Sequence, residues 1–149
     1  MIRLSRKTVL ALEAVLDVAY NARPNPVQAR DITERQGIPA RYLEQVLQQL
    51  VRDGVLKGVR GPKGGYTLAR ERRRVTLGEI VRLVSEMEAD QEEPVSAAEL
   101  GEKVISPIWV ELQDQLLKQL DAMTMEDLCR RAEAVGVRRA DEAGTDFTI

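Results

Sequence analysis

Histidine is absent from the 149 residues, and cysteine occurs once, as Cys129. Without histidine there is no Ser-His-Asp triad, no Cys-His pair, no histidine zinc site and no histidine general base. An enzyme built on this chain would depend on carboxylates, lysine or tyrosine, and no paired carboxylates stand beside a suitable nucleophile. A single thiol cannot close an intramolecular disulfide, which fits a reducing compartment. Aromatic residues make up only 3% of the chain, so its core must come from Leu, Val, Ile and Ala, which favours a mainly helical protein. No stretch approaches the roughly 18 consecutive apolar residues of a membrane span. The N-terminal segment runs into Glu13 and Asp17 where a secretory signal would stay apolar. A cytoplasmic protein with no membrane partner is expected.

What is present is unevenly placed. The net charge of −2 conceals a division of the chain. Residues 1–75 carry 15 Lys/Arg against 7 Asp/Glu, a net of +8, whereas residues 76–149 carry 7 against 17, a net of −10. Two solvated surfaces could differ this way, but a basic half joined to an acidic half points to a polyanion partner for the first.

Apolar spacing predicts a first helix over 7–22, with Val9, Leu12, Leu16 and Ala19 on one face and Glu13 and Asp17 between them. Arg23-Pro24-Asn25-Pro26 ends it. A second helix is expected at 28–36, stopped by Gly37 and Pro39. A third, over 40–53, has Leu43, Val46, Leu47 and Leu50 on its apolar face. Strands are expected at 55–59 and 66–69, with Arg60-Gly61-Pro62-Lys63-Gly64-Gly65 as the turn between them. Thr76 and Glu79 form a capping box for a fourth helix. Residues 86–105 are acidic and weakly periodic and are expected to be a flexible loop. Ser106-Pro107 reads as a helix start, with Trp109, Leu112, Leu116 and Leu120 along one face, Ile108 beside them and Leu117 widening it. Thr124 and Asp127 open a last helix to about 134, and 136–149 is read as a frayed polar tail.

Helix, helix, turn, helix, strand, wing, strand is the order of a winged helix-turn-helix: mainly α with a small β-wing, followed by a long C-terminal helix. In such a fold the third helix fits the major groove, about 12 Å wide. With its leucines turned inward, its outer side carries Arg41, Glu44, Gln45, Gln48, Gln49 and Arg52. Arg grips guanine through two acceptors, Gln pairs with adenine and Glu accepts from cytosine. Any solvated helix face is polar, so the stripe alone decides nothing; the glycine-rich hairpin with Arg60 and Lys63 beside it tips the balance towards double-stranded DNA. That hairpin lacks the G-x-x-x-x-G-K-[ST] spacing of a nucleotide phosphate loop. Ser5, Arg6 and Lys7 stand at the amino end of the first helix, where amides and cations suit a backbone phosphate.

Ser5-Arg6-Lys7 after Leu4, Tyr42-Leu43-Glu44-Gln45, and above all Val59-Arg60-Gly61-Pro62-Lys63-Gly64-Gly65-Tyr66 resemble the Rrf2 family of bacterial regulators over roughly residues 2–134. That resemblance implies a winged-helix homodimer whose long C-terminal helix, residues 107–122, crosses its partner. The face of Ile108, Trp109, Leu112, Leu116 and Leu120 could pack within one chain, but a wide aliphatic face after a flexible loop is expected to bury itself against a second copy. The resemblance places Arg41 and Glu44 where such proteins read bases and Arg60 where the wing enters the minor groove; Tyr42, Gln45, Gln48, Lys63 and Gly64 complete the candidate DNA-binding set. Cluster-binding members carry three cysteines before the dimerisation helix. Here the segment from Glu86 to Ile105 has none, so no iron–sulfur cluster and no metal site are expected. Control through a partner enzyme, as in a cluster-free relative, is the corresponding expectation.

The expected division is therefore 1–85 for DNA binding, 86–105 for the loop, 106–135 for the dimerisation and last helices, and 136–149 for the tail. A two-fold dimer would set two recognition helices about 34 Å apart on a pseudo-palindromic operator. Repression is the sign that the family resemblance implies. The competing reading is a protein-interaction module that keeps the fold with little DNA readout. Cys129, between Leu128 and Arg130, fits a small buried hydrophobe; Arg130 and Arg131 keep a redox switch as the alternative.

Overall fold

The computed structural model describes residues 5–22, 25–89 and 98–141. Arg23 and Pro24 of the first stop signal, residues 90–97 of the expected loop, and 1–4 and 142–149 at the ends lie outside them.

Helix α1 (Arg6–Asn21) is capped by Ser5, whose Oγ accepts the Thr8 amide at 3.3 Å. Its buried face is not the one the Val9–Leu12–Leu16 spacing predicts. Thr8, Ala11, Ala14, Val15, Val18 and Ala19 point inward, Val9 is exposed, and Leu12 and Leu16 lie half-buried at the flanks. Alanines at the centre let neighbouring helices approach closely, so the larger leucines are displaced to the seams.

Asp17 is the second departure. It was expected among the polar positions of the helix, yet it is only 2% exposed. Its carboxylate accepts from Arg35 Nε at 2.9 Å, from Arg35 Nη2 at 2.8 Å and from Gln36 Nε2 at 2.8 Å. Three charge-assisted or amide bonds satisfy the buried carboxylate and fasten helix α2 (Ala29–Gln36) to α1. Gly37 ends α2 in the left-handed conformation, at φ +66°. Helix α3 (Ala40–Arg52) follows at once and buries Leu43, Val46, Leu47 and Leu50 completely.

Strands β1 (Leu56–Val59) and β2 (Gly65–Leu68) form an antiparallel hairpin with Leu56 opposite Leu68 and Val59 opposite Gly65. Val27 pairs along the other edge of β2 as an isolated bridge, exchanging bonds with Tyr66 at 3.0 and 2.7 Å. Gly65 is required there: at φ +152° a Cβ would lie 2.4 Å from the Val27 carbonyl oxygen. A 3₁₀ turn (Arg72–Arg74) leads into helix α4 (Leu77–Met87), which opens with the expected Thr76/Glu79 capping box. Helix α6 (Met125–Ala134) opens with the matching box from Thr124 and Asp127. Aliphatic side chains from α1, α3, α4 and α6 meet in one core.

The segment before the long helix α5 (Ser106–Asp121) corrects the loop reading at both edges. Residues 86–87 belong to α4, and Glu88 behind them is buried. Residues 99–100 are helical and pass through a π-helical turn, Gly101–Ile105, straight into α5. Ser106 is therefore no cap: it has helical angles and makes no capping bond. Pro107 can sit inside a continuous helix because the widened π turn upstream relieves the clash between its ring and the preceding turn. The tail is corrected as well. Val137 accepts from the Tyr20 hydroxyl, the Ala140 amide donates to Asn21 Oδ1 at 2.9 Å, and the Arg139 guanidinium lies 5.3 Å from the Tyr20 ring centroid. Residues 137–141 thus lie against α1 instead of fraying.

Candidate nucleic-acid interface

Burying Leu43, Val46, Leu47 and Leu50 fixes which side of α3 meets solvent. Arg41, Glu44, Gln45 and Gln48, at helical spacing, are all exposed, and Arg52 continues the stripe. Gln49 is half-buried and turns back to Asp53 Oδ1 at 3.3 Å. The exposed side chains are two guanidiniums, two amides and a carboxylate, the donor and acceptor set that base edges require.

Tyr42 has a different part from its neighbours. Its half-buried hydroxyl donates to the Lys7 carbonyl at 2.6 Å, tying α3 to the start of α1. Burial, with the Glu88 carboxylate nearby, pushes its pKa up to about 12. The hydroxyl is thus committed within the chain, and it places the exposed Arg6 and Lys7 relative to the stripe. Ser5 is likewise engaged, as the cap of α1.

The hairpin tip closes through the Gly64 amide donating to the Gly61 carbonyl at 2.9 Å. Arg60, Gly61, Pro62 and Lys63 are exposed, while Gly64 is buried. A Cβ on Gly64 would meet the Val59 carbonyl at 2.2 Å, so this glycine shapes the turn that presents Arg60 and Lys63.

The expected dimer stripe divides in two. Ile108, Trp109 and Leu112 are exposed at 50, 47 and 51%. Leu116 is half-buried, and Leu120 packs against the core of its own chain. The exposed apolar face extends instead towards the amino end, through Leu100, Val104 and Ile105. Sequence reading missed these three because Gly101 and Pro107 hide a stripe that otherwise runs in four-residue steps through 100, 104, 108 and 112. Cys129 is 1% exposed on α6, and burial pushes its thiol pKa up against the opposing pull of the Arg72 guanidinium.

Residues 4–131 match the family model of Rrf2, described as an iron-dependent transcriptional regulator. The chain belongs to the Rrf2 family. It is 36% identical over 145 residues to the HTH-type transcriptional regulator IscR of Cronobacter sakazakii, covering 95% of this chain and 90% of that one. Among solved structures it resembles T. potens IscR, with a TM-score of 0.74 and 30% identity over 95% of this chain and 96% of the other. It also resembles CymR, the global cysteine regulator of B. subtilis, with a TM-score of 0.69 and 27% identity over 88% and 98%. The mainly helical fold with a two-stranded wing is that of the Rrf2 regulators, and this chain is a DNA-binding transcriptional regulator rather than an enzyme.

The family description raises iron, and the donor set here does not suit it. The only thiol is buried, histidine is absent, and no group of three His, Cys, Asp or Glu side chains among the described residues is placed to hold a metal ion. A [2Fe–2S] cluster takes four ligands, mostly thiolates. Among the described residues, no helix is long and apolar enough to cross a membrane.

Proposed function

We propose that this Rrf2 protein represses transcription as a homodimer on a pseudo-palindromic operator, and that it does so without an iron–sulfur cluster. The observation that carries the reading is the pairing of a stripe of exposed, hydrogen-bonding side chains on α3 with a glycine-shaped hairpin that presents Arg60 and Lys63. Arg41, Glu44, Gln45 and Gln48 read base edges in the major groove. Arg60 and Lys63 contact phosphate or the minor groove, and Arg6 and Lys7 hold the backbone. The exposed apolar face of α5 supports a second copy as its occupant, since burial against a two-fold mate removes it from water. With the thiol buried, a signal reaches the protein from outside the chain, through a partner enzyme, in the bacterial cytoplasm where its DNA lies.

Selection from random duplexes tests the core of this reading. The wild-type chain is expected to enrich an inverted repeat with half-sites about one helical turn apart and to lose affinity steeply as salt rises. Failure to enrich any sequence, or binding insensitive to salt, overturns it and favours a protein-interaction module. Purified without oxygen, the protein is expected to be colourless, and a visible iron–sulfur absorption band overturns the cluster-free part alone.

A further inference from the structure

Helix α5 bears the exposed apolar face at its amino half, but its carboxyl end is fastened to the DNA-binding body by an unusually complete joint. Arg82 of α4 donates from Nη1 to Asp121 Oδ1 at 2.6 Å and from Nη2 to Oδ2 at 2.8 Å, a two-pronged pair. The Asp121 side chain crosses directly over Gly78, where an added Cβ would lie 1.8 Å from Oδ1. Backbone bonds close the joint on its other side: Leu77 donates to Met123 at 2.9 Å and Met125 to Val75 at 2.8 Å, flanking the Thr76–Thr124 bridge. Arg82 is held more firmly protonated, and Asp121 more firmly ionised, by this pairing.

Stability is a poor explanation for the Arg82–Asp121 pair. Both side chains are more than 40% exposed, and ion pairs so placed contribute little to folding. Glycine is also a weak helix former in the first turn of α4. A forked guanidinium–carboxylate pair does fix an angle, because two parallel bonds resist rotation that one would allow. An angle fixed at the base of a lever sixteen residues long sets where its far end points.

We propose that Arg82, Asp121 and Gly78 are positioning residues that set the angle between the dimerisation arm and the DNA-binding body, and thereby the half-site spacing the protein selects. In a two-fold dimer any change at this joint is applied twice, once per protomer, and moves the recognition helices apart or together. The inference rests on the homodimer reading above. It adds that spacing preference resides in a joint separate from both the α3 stripe and the exposed apolar face of α5.

The experiment uses full-length protein and duplexes carrying the half-site enriched by the wild type, with the separation varied one base pair at a time. The wild type is expected to favour one separation at least tenfold over its neighbours. Arg82→Ala and Asp121→Ala are each expected to flatten that preference to within about threefold, with single half-site affinity and dimer dissociation within twofold of wild type. Arg82→Lys, which keeps the charge but not the fork, is expected to fall between and serves as the test should an alanine variant fold poorly. Dimeric variants that keep the full spacing preference overturn the proposal, as do variants that lose single half-site binding equally. A monomeric wild type overturns the homodimer reading, and the joint's role with it, which sedimentation detects before any duplex is added.

Discussion

Helices α3 and α5 are of similar length, 13 and 16 residues, and are buried in opposite ways. Four aliphatic side chains of α3 are sealed in the core and its polar side chains face water. No residue of α5 is fully buried, and Ile108, Trp109, Val110 and Leu112 face outward. Apolar area left in water marks an unfinished contact. The body that carries the polar stripe is complete within one chain, whereas the exposed face of the arm is the one proposed to meet a second copy.

That contrast can be broken at either helix. Trp109→Asp removes a large apolar contact twice per dimer, about 2 kcal/mol each time. The dimer is expected to weaken by two to three orders of magnitude in sedimentation, with DNA affinity falling alongside and the monomer's thermal unfolding nearly unchanged. Leu47→Ala should do the reverse, costing roughly 2–5 kcal/mol of folding stability in urea and sparing dimerisation. If Trp109→Asp unfolds the monomer as Leu47→Ala does, α5 is part of the body and the distinction is lost.

The wing offers a sharper cut within the body. Gly65→Ala places a Cβ against the Val27 carbonyl and should break the Val27–Tyr66 bridge. The expected cost is about 1–3 kcal/mol, read by urea unfolding, with a loss of DNA affinity because Arg60 and Lys63 lose their mount. Unchanged stability would show that the Val27–Tyr66 pairing does not support the hairpin.

The division between body and arm also explains what could be read in advance. Turn and cap chemistry is local, so Gly37, the Thr76/Glu79 box, the Thr124/Asp127 box and the 59–66 hairpin announce themselves in sequence. So do the inward leucines of α3 and the outward Arg41, Glu44, Gln45 and Gln48, because a single strong period separates them. What stayed hidden depends on partners distant in the chain. Nothing adjacent to Asp17 shows that Arg35 and Gln36 will bury it, and nothing near Tyr42 shows that Lys7 will take its hydroxyl. The alanine-centred face of α1 is chosen by what packs on it. The turn just ahead of the arm, residues 99–105, reads as loop because glycine, proline and acidic residues interrupt the period, and only the π turn reconciles Pro107 with a continuous helix.

Smaller effects separate readout from attachment. Arg60→Ala is expected to weaken binding about tenfold for every sequence and to lower the salt slope by about one. Glu44→Ala should instead relax preference at one base position, a change on the order of 1–3 kcal/mol for the discriminated base. Binding measured on two operator variants at two salt concentrations distinguishes them. If both substitutions act alike, the stripe on α3 does not read sequence.

The smallest expected effect lies at Tyr42, where α3 is tied to the start of α1. Its folded pKa of about 12 lies above the ordinary 10.0, so the fold favours the neutral phenol. That contribution is complete below pH 10, declines as pH rises between the two values, and is gone above about 12. Tyr42 is therefore expected to ionise late in an ultraviolet titration, and Tyr42→Phe should remove that contribution. The same variant frees the Lys7 carbonyl, so Arg6 and Lys7 should be placed less firmly and DNA affinity should fall a few-fold while base preference stays as it was. A late step of undiminished size in Tyr42→Phe, with DNA affinity unchanged, would leave the α1–α3 tie without its proposed role.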